Sequence, residues 1–225
     1  MSVSVADLET IKALSHLPQT SLVKLAGLMI PQTYAPGELI FIEDEPTEGM
    51  WFIFEGQVKV MKESSLGRIQ ALCLVDKKRC FGSCPLFTRP MNPASAQAHT
   101  DVTLFILPTS AVTQLVGRDP ALVRVLLEIY GEYITLLSCL SEKLGAWRVA
   151  GRLNDALLNY AVPHDPYPMV RLTHEQLAEL VGTAREVVSR HLLQLEQQGL
   201  ILMEKGLIHL VQPERLDTML PCTKE

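Results

Sequence analysis

The sequence predicts an α+β fold, with an N-terminal β-roll of jelly-roll type, a long helix, and a C-terminal winged helix-turn-helix. Three patterns support this prediction. Short β-type runs separated by Gly, Pro and charged turns fill residues 34–107. Apolar residues then recur at helical spacing from Leu122 to Leu144. Two short amphipathic helical patterns and a hairpin pattern follow between residues 172 and 211.

Length and charge set the first limits on function. A chain of 225 residues with 48% hydrophobic composition is long enough for two ordinary cores. We expect a β-roll with flanking short helices at 1–118, a long helix and hinge at 119–145, and the helix-turn-helix region at 146–225. The formal net charge of −5 and the pI of 5.7 exclude a generally basic protein. Any nucleic-acid contact must therefore come from a local cluster of charges.

The sequence favours a cytoplasmic protein. Its N-terminal segment MSVSVADLETIKAL lacks the basic and apolar regions of a secretory signal peptide. The longest apolar stretch contains Arg124, Glu128 and Glu132, so we expect neither a membrane span nor a membrane partner. Five cysteines spread over the chain argue against a disulfide framework and for a reducing compartment.

The first part of the chain predicts helix followed by strands. Residues 6–30 have the pattern of one or two short helices before Pro31. The strand-like runs after it include LIFI, MWFIFEG, QVKVM, IQALCLV and VTLFIL. Regular short strands with turn signals between them are typical of a sandwich or barrel, which leads to the predicted β-roll.

A long helix is predicted after Asp119-Pro120, because aspartate is a good N-cap and proline suits the first helical position. Gly145 is expected to end it. A helix of roughly 25 residues spans roughly 38 Å, more than a compact domain needs, so we expect it to form a homodimer. The alternative is a helix that lies on its own sheet. The predicted seam repeats at coiled-coil spacing through Leu122, Leu126, Ile129, Tyr133, Leu136, Leu140 and Leu144.

The segment LTHEQLAELVGTAREVVSRHLLQLEQQGLI predicts two helices joined by a tight turn. Thr173 is expected to cap the first helix with Gln176, and Thr183 to cap the second with Glu186. Gly182 lies in the turn between them. Each helix has one apolar face. The apolar residues are Leu177, Leu180 and Val181 on the first helix and Val188, Leu192 and Leu195 on the second.

The helix-turn-helix pattern is flanked by another helix and by a hairpin. An amphipathic helix is predicted from about Arg148 to Tyr160, followed by the proline-rich loop VPHDPYP. After the second helix, the runs Leu200–Met203 and Leu207–Val211 flank Glu204-Lys205-Gly206. This arrangement predicts a small β wing.

A polar cluster on the second helix is the candidate for contact with double-stranded DNA. Arg185, Glu186, Ser189 and Arg190 are three and four residues apart, so they share a face turned away from the apolar one. Arginine can bond guanine and glutamate can accept from cytosine in a major groove. The capping residues Thr173 and Thr183 complete the predicted DNA-binding set. Alternatively, Glu186 only completes a capping box and the arginines form solvated surface pairs.

The order of these elements resembles the cyclic-AMP receptor/fumarate-nitrate reduction regulator (Crp/Fnr) family of bacterial transcription factors, over nearly the whole chain. The family motif Arg-Glu-x-x-(Gly/Ser)-Arg falls on Arg185, Glu186, Ser189 and Arg190. Weaker matches are YAPGELIFIEDEP, FIFEGQVKV, FGSCPLF and SEKLG followed by WRVAGRLNDALLNYA. The resemblance implies a two-fold dimer that reads a palindrome with TGTGA-like half-sites. It also implies RNA polymerase as a partner if the protein is an activator.

The sensor half departs from the cyclic-nucleotide-binding pattern of that family. Where the binders carry Gly-Glu and Arg-Ser pairs, this chain has Gly82-Ser83 and Ala94-Ser95. The pocket residues on the long helix fall on Leu136 and Leu140. A cyclic phosphate would meet no charged partner here, and burying it unpaired is costly. We therefore predict that cyclic AMP is not the effector.

The cysteines offer a thiol-based alternative. Cys80 and Cys84 lie at the expected pocket mouth, and Cys73 is seven residues before Cys80. Cys139 lies on the long helix. The redox candidates are Cys80, Cys84 and Cys139. The other interpretation is that these are small buried apolar residues. No cysteine precedes Cys73, which disfavours the iron-sulfur cluster of the fumarate-nitrate type.

No cofactor or metal is predicted. His99 is the single weak candidate for a haem ligand in the sensor half. A third possibility is that leucine side chains fill the pocket and the protein binds DNA without any effector.

Other functional classes fit less well. Metal-dependent enzymes on β-rolls need clusters of His and carboxylate ligands, and residues 34–107 contain only His99. No glycine-rich phosphate loop or nucleophile arrangement is apparent, so we do not expect an enzyme. The main rival is a protein-interaction module with a degenerate helix-turn-helix.

Overall fold

The structure is a computed structural model that describes residues 2–65, 67–83, 86 and 91–220. Contacts divide the chain into two units, Met1–Lys62 with Leu72–Leu136, and Glu63–Ala71 with Leu137–Glu225. Among the helices in the described ranges, none combines the length and the apolar character that crossing a bilayer requires.

The first unit combines short helices with a β-roll. Its helices are α1 (Val5–Glu9), α2 (Gln19–Leu28) and α3 (Thr109–Val116), followed by the long helix α4 (Pro120–Ala146), which continues into the second unit. The strands are β1 (Ile30–Tyr34), β2 (Leu39–Phe41), β3 (Gly49–Glu55), β4 (Gln57–Glu63), β5 (Ile69–Asp76), β6 (Cys80–Phe81), β7 (Ser95–Ala98) and β8 (Val102–Pro108). The described strands form two four-stranded sheets, in the orders β1-β8-β3-β6 and β2-β7-β4-β5.

The sheet that contains β3 is buried on both faces. On β3, Trp51 and Ile53 join a core to which both sheets contribute, whereas Met50 and Phe52 join a second core with the helices. The run MWFIF is therefore almost continuously apolar, as expected for a strand covered on both sides. This two-sided burial makes the predicted β-roll a stable platform for the long helix.

Three strands of the β-roll differ from the prediction. The sheet starts at Ile30 instead of Tyr34, and β1 accommodates Pro31 because it is an edge strand that pairs with β8 alone. The strands β6 and β7 were absent from the predicted runs, since CF is very short and SAQA has little β-propensity. Pairing with β2 and β4 on either side gives β7 its strand conformation.

The start of α4 is confirmed. Pro120 is the first helical residue, and the Asp119 carboxylate accepts a hydrogen bond from the Leu122 N–H at 3.3 Å. Its other oxygen accepts a bond from the Ser21 hydroxyl at 2.6 Å, which ties α2 to the start of α4. The Ser21 bond is the main reason why the pKa of Asp119 lies below its usual value.

The predicted dimer seam on α4 is wrong at its N-terminal half. Leu122, Leu126 and Ile129 are buried in the core of their own unit, together with residues of α1, α2 and the first sheet. Tyr133 packs partly buried against the same core. The first three side chains are buried within one chain, so they cannot face a second copy. The interpretation of a helix that lies on its own domain is correct for this stretch.

A different set of α4 side chains is exposed. Leu127 is 70% exposed, Ile134 69%, Leu137 54% and Leu144 39%. Their spacings of seven, three and seven residues place them on one side of the helix. We call these four residues the exposed stripe. It lies one residue out of phase with most of the predicted seam and shares only Leu144 with it. Leu136 is exposed on another side of the helix, and Leu140 is half-buried.

The second unit is a helix-turn-helix with a three-stranded wing, which confirms the predicted fold class. Its sheet has the order β10-β11-β9. The elements are α5 (Val149–Asn159), β9 (Met169–Val170), α6 (His174–Val181), α7 (Arg185–Gln197), β10 (Ile201–Glu204), β11 (Leu207–Leu210) and α8 (Pro213–Thr218). The strand β9 and the helix α8 are additions to the prediction.

Arg152 on α5 connects this helix to the ends of α4 and α6 within the second unit. Its Nε donates to the Val181 carbonyl at the end of α6, and its Nη1 donates to the Trp147 carbonyl just after α4, both at 2.8 Å. Lys143 on α4 forms a 2.6 Å ion pair with Asp155 on α5. Because these carbonyls have no partner within their own helices, the guanidinium completes their hydrogen bonding and fixes α6 against the end of α4.

Candidate nucleic-acid interface

The turn between α6 and α7 sets the direction of the second helix. Thr173 caps α6 and forms a capping box with Gln176, as predicted. Gly182 ends α6 in the left-handed conformation at φ 68°, which favours glycine. The predicted cap at Thr183 is wrong, because α7 begins one residue later, with Ala184 as its N-cap and no side-chain cap bond.

The polar cluster lies on one face of α7. Arg185, Glu186, Ser189 and Arg190 line one concave surface, to which Leu193 also contributes. The opposite face, with Val188, Leu192 and Leu195, is buried in the unit's core. The helix therefore presents its predicted polar face outward and keeps its apolar face inside.

The charged groups on this face have no partner within the described part of the chain. Arg185, Glu186 and Arg190 take part in no ion pair and no side-chain hydrogen bond there. Glu186 completes no capping box, because α7 has none. The alternative interpretation, a capping glutamate beside paired surface arginines, is therefore wrong. The face offers two guanidinium groups and one carboxylate to an external ligand.

A second concave surface adjoins the first and includes the wing. It is lined by Arg185, by the start of α6 and by the turn between β10 and β11. Lys205 and Gly206 both have positive φ, 51° and 82°, which is the conformation of a two-residue type I′ hairpin turn. The Lys205 side chain is 86% exposed at the tip of the wing. A cation at this place is well situated for a phosphate backbone.

Several residues of these surfaces escaped the sequence prediction, among them His174, Leu193 and Lys205. His174, which lines the second surface, has its Nδ1 2.8 Å from the Ser189 hydroxyl oxygen. Leu193 is exposed one turn beyond Arg190. Lys205 was recognised only as part of a turn. The helical spacing from Arg190 was a signal for Leu193, whereas the contact of His174 requires knowledge of how α6 crosses α7.

His191 lies on the buried side of α7. Its Nε2 forms a 2.9 Å hydrogen bond with the side-chain oxygen of Asn154 on α5, and Asn154 is itself buried. Burial is the main cause of a pKa below the usual value for histidine. The neutral ring is therefore the form that fits the folded unit.

We expect the folded protein to lose stability as the pH falls below about 6.5, the ordinary histidine value. In that range the unfolded chain binds a proton at His191 before the folded chain does, so acid favours unfolding, and the contribution is fully present above it. Thermal unfolding at pH 7.5 and 5.5 measures the effect. His191→Gln, which lacks a titrating ring, is expected to show a smaller loss than the wild type. An equal loss in both proteins would contradict this assignment.

Among the predicted effector positions, the described ones on the β-roll have structural surroundings, whereas Leu136 on α4 is exposed and Leu140 is half-buried. Gly82 has φ 94°, and a Cβ at this residue would lie 3.1 Å from Trp51. Ser83 is buried, and the Ser95 hydroxyl accepts a hydrogen bond from the Glu43 N–H at 3.0 Å. Cys84 lies outside the described residues. The rings of Phe41, Trp51 and Phe81 pack together beside this segment, with centroids 5.8–6.2 Å apart.

The described cysteines differ in their surroundings. Cys73 is half-buried, and burial raises the pKa of its thiol to about 11, so it is protonated at neutral pH. Cys80 is buried in the core that the first sheet forms with the helices, which argues against its predicted redox role. Cys139 is exposed on α4. In the described ranges, no group of three or more His, Cys, Asp or Glu residues is arranged to hold a metal ion.

Two family models match the chain. A model of the cyclic nucleotide-binding domain matches residues 31–119, and a model of the Crp-like helix-turn-helix domain matches residues 151–219. The second match contains α6, α7 and the wing, and therefore every residue of the two concave surfaces.

Similar proteins are transcription regulators. The chain is 25% identical over 209 residues to the CRP-like cAMP-activated global transcriptional regulator of Mycobacterium tuberculosis, covering 88% of this chain and 91% of that protein. The structure of a transcriptional regulator of the CRP/FNR family from Thermus thermophilus matches with a TM-score of 0.73 and 26% identity, over 84% of this chain and 97% of that one. The c-di-GMP responsive global regulator CLP of Xanthomonas campestris shares the fold, with a TM-score of 0.76 and 19% identity over 86% and 99% of the two chains.

Proposed function

This chain belongs to the Crp/Fnr family of transcription regulators, and from that premise we propose that it binds a DNA palindrome as a homodimer through the polar face of α7. The observation that carries the proposal is the set of unpaired charged groups on that face. Arg185, Glu186 and Arg190 have no intramolecular task among the described residues, and their chemistry matches base edges in a major groove.

The resemblance to the family implies a TGTGA-like half-site, and the chemistry of these side chains is compatible with it. An arginine guanidinium bonds the O6 and N7 of guanine with two parallel hydrogen bonds, and a glutamate accepts from the N4 of cytosine. A TGTGA-like half-site supplies guanines on one strand and cytosines on the complement. Ser189 is short enough to let α7 approach the bases closely.

We propose that the wing and the start of α6 hold the phosphate backbone on either side of α7. Lys205 at the wing tip and Thr173 at the N-terminus of α6 belong to the second concave surface, beside Arg185. Contacts to phosphates fix the register of a protein on the duplex without reading sequence. They are expected to make affinity fall steeply as the salt concentration rises.

The exposed stripe supports the homodimer. Leu127, Ile134, Leu137 and Leu144 form an apolar line that would be costly to leave in water. A second copy of the same stripe is a matching partner, because identical seams meet across a two-fold axis. Two α7 helices related by this axis would enter major grooves about 34–36 Å apart.

We expect cyclic AMP not to bind. Ser83 and Ala94 are buried at the positions where cyclic-nucleotide binders of the family carry a carboxylate and a guanidinium. An unpaired phosphate at this place would lose its hydration without compensation. Isothermal titration calorimetry with cyclic AMP is expected to give no saturable heat at micromolar concentrations. Saturable micromolar binding would contradict this prediction, whatever relatives such as the cAMP-activated regulator of M. tuberculosis do.

We infer that the effector-free protein is already competent to bind DNA. The packed rings of Phe41, Trp51 and Phe81 support this view, because they occupy the core of the β-roll next to Gly82. The competing proposal is a thiol-responsive regulator, for which Cys139 is the exposed thiol among the described cysteines.

Selection of bound sequences from random duplex DNA tests the proposed function. The experiment uses effector-free protein and is run with reductant and with oxidant. We expect the same TGTGA-like palindrome in both arms. Enrichment in one redox state alone would replace the effector-free proposal with thiol control. No enriched palindrome in either arm would contradict the function itself and favour a protein-interaction module.

A further inference from the structure

A hydrogen bond connects the recognition face with the helix in front of it. His174 is the first residue of α6, and its Nδ1 lies 2.8 Å from the hydroxyl oxygen of Ser189 on α7. Both side chains are half-buried. The capping box of Thr173 and Gln176 fixes the backbone at the start of α6, which restricts the position of the His174 side chain.

The position of this bond links the two concave surfaces. Ser189 lines the surface of the α7 face with Arg185, Glu186 and Arg190. His174 lines the neighbouring surface that includes the wing. Because Arg185 contributes to both surfaces, the bond lies next to groups that are proposed to touch DNA.

The bond determines what the serine hydroxyl can offer to a base. A free hydroxyl rotates and can donate or accept, so it discriminates poorly between base edges. If the imidazole accepts the serine proton, the serine oxygen keeps only acceptor capacity and suits the amino groups of adenine or cytosine. If the imidazole donates, the serine proton is left for guanine or for thymine O4. An accepting imidazole removes the serine's donor, whereas a donating imidazole leaves the hydroxyl its proton and one lone pair and restricts the direction in which that proton points.

We propose that His174 is a positioning residue for base specificity, which acts by fixing the hydroxyl of Ser189. The proposal rests on the function proposed above and deepens it by one position of the half-site. His174 itself need touch no base. Its effect is confined to the base pair that Ser189 faces, whereas the arginines and the glutamate read the others.

A double-mutant cycle tests this coupling. The variants are Ser189→Ala, His174→Phe and the two together, titrated against duplexes that carry each base pair in turn at every position of the selected half-site. We expect each single variant to lose discrimination at the same one position, by several-fold to about tenfold, which is up to about 1.4 kcal/mol. The double variant is expected to lose no more than either single one.

Two further variants keep the test decisive. His174→Gln can still hydrogen-bond the serine and is expected to recover part of the preference. Glu214→Gln changes an exposed charged residue of α8, which lines neither concave surface, and is expected to leave the base profile unchanged. Thermal unfolding checks that each variant is folded, and His174→Ala replaces His174→Phe if the larger ring prevents folding.

Several results would overturn the inference. One is an unchanged profile in His174→Phe or His174→Ala beside a changed one in Ser189→Ala. Another is a pair of losses that add in the double variant, or a loss spread over all positions. Arg190→Ala separates this failure from failure of the proposed function. If Arg190→Ala still relaxes base preference, the proposed DNA-binding function is supported and only the proposed role of His174 is rejected.

Discussion

Replacing Arg190 with alanine is expected to weaken binding to the selected palindrome by roughly 5- to 150-fold, since removing a bidentate arginine–guanine pair costs roughly 1–3 kcal/mol. The guanidinium is exposed on the α7 face and has no ion pair or hydrogen bond in the described chain, so its removal should cost the fold little. Binding to a scrambled duplex should fall far less, because it depends on phosphate contacts. Fluorescence anisotropy titrations at one fixed salt concentration measure both affinities.

Arg215→Ala is the matched control for this experiment. It removes the same charge from α8, in the same unit, from a side chain that bonds only Gln212 there. Specific binding is expected to remain close to that of the wild type. If both variants weakened specific and scrambled binding equally, Arg190 would be a general positive charge and not a reader of sequence.

Replacing Ile134 with aspartate is expected to convert the protein into a monomer at micromolar concentration. The side chain is 69% exposed in the single chain and lies in the middle of the exposed stripe. In a symmetric dimer each copy would bury an unpaired carboxylate, so the dimer dissociation constant should rise by at least roughly 100-fold. Sedimentation velocity measures the oligomeric state, and affinity for the palindrome should fall with it.

Leu136→Asp provides the control on the same turn of the helix. Leu136 is also exposed, but it lies roughly 200° around the axis from Ile134. We expect this variant to remain dimeric. The opposite outcome, a monomer with Leu136→Asp and a dimer with Ile134→Asp, would place the interface on the C-terminal half of the seam predicted from sequence.

The two assignments on α4 differ because the helix is apolar on more than one side. Leu122, Leu126 and Ile129 repeat at coiled-coil spacing, and so do Leu127 and Ile134 one residue later. Periodicity alone cannot distinguish the side that packs on the chain's own sheet from the side left exposed. The choice depends on the position of α1, α2 and the β-roll, which is tertiary information.

The polar face of α7 was predictable because its determinants are local. The 3.6-residue period separates Arg185 and Arg190 from Val188 and Leu192 on any helix. The cap at Thr173 was also correct, since the capping box needs only four consecutive residues. The predicted cap at Thr183 was wrong because Thr183 belongs to the turn that follows the left-handed Gly182, and Ala184 is the N-cap of α7.

Non-local pairing explains the elements that escaped prediction. The strand β7 is the small, polar run SAQA, and it is extended because β2 and β4 flank it. The bond between His174 and Ser189 joins residues 15 positions apart on different helices. Neither feature follows from propensity or spacing, because each depends on which distant segment lies alongside.

Hydroxyl-radical footprinting on the selected palindrome tests the central claim most directly. We predict two protected half-sites related by two-fold symmetry, with centres about 34–36 Å apart on one face of the duplex. This protection should disappear with Arg190→Ala and persist with Arg215→Ala. An asymmetric or absent footprint, or one that Arg190→Ala leaves intact, would contradict recognition by paired α7 helices.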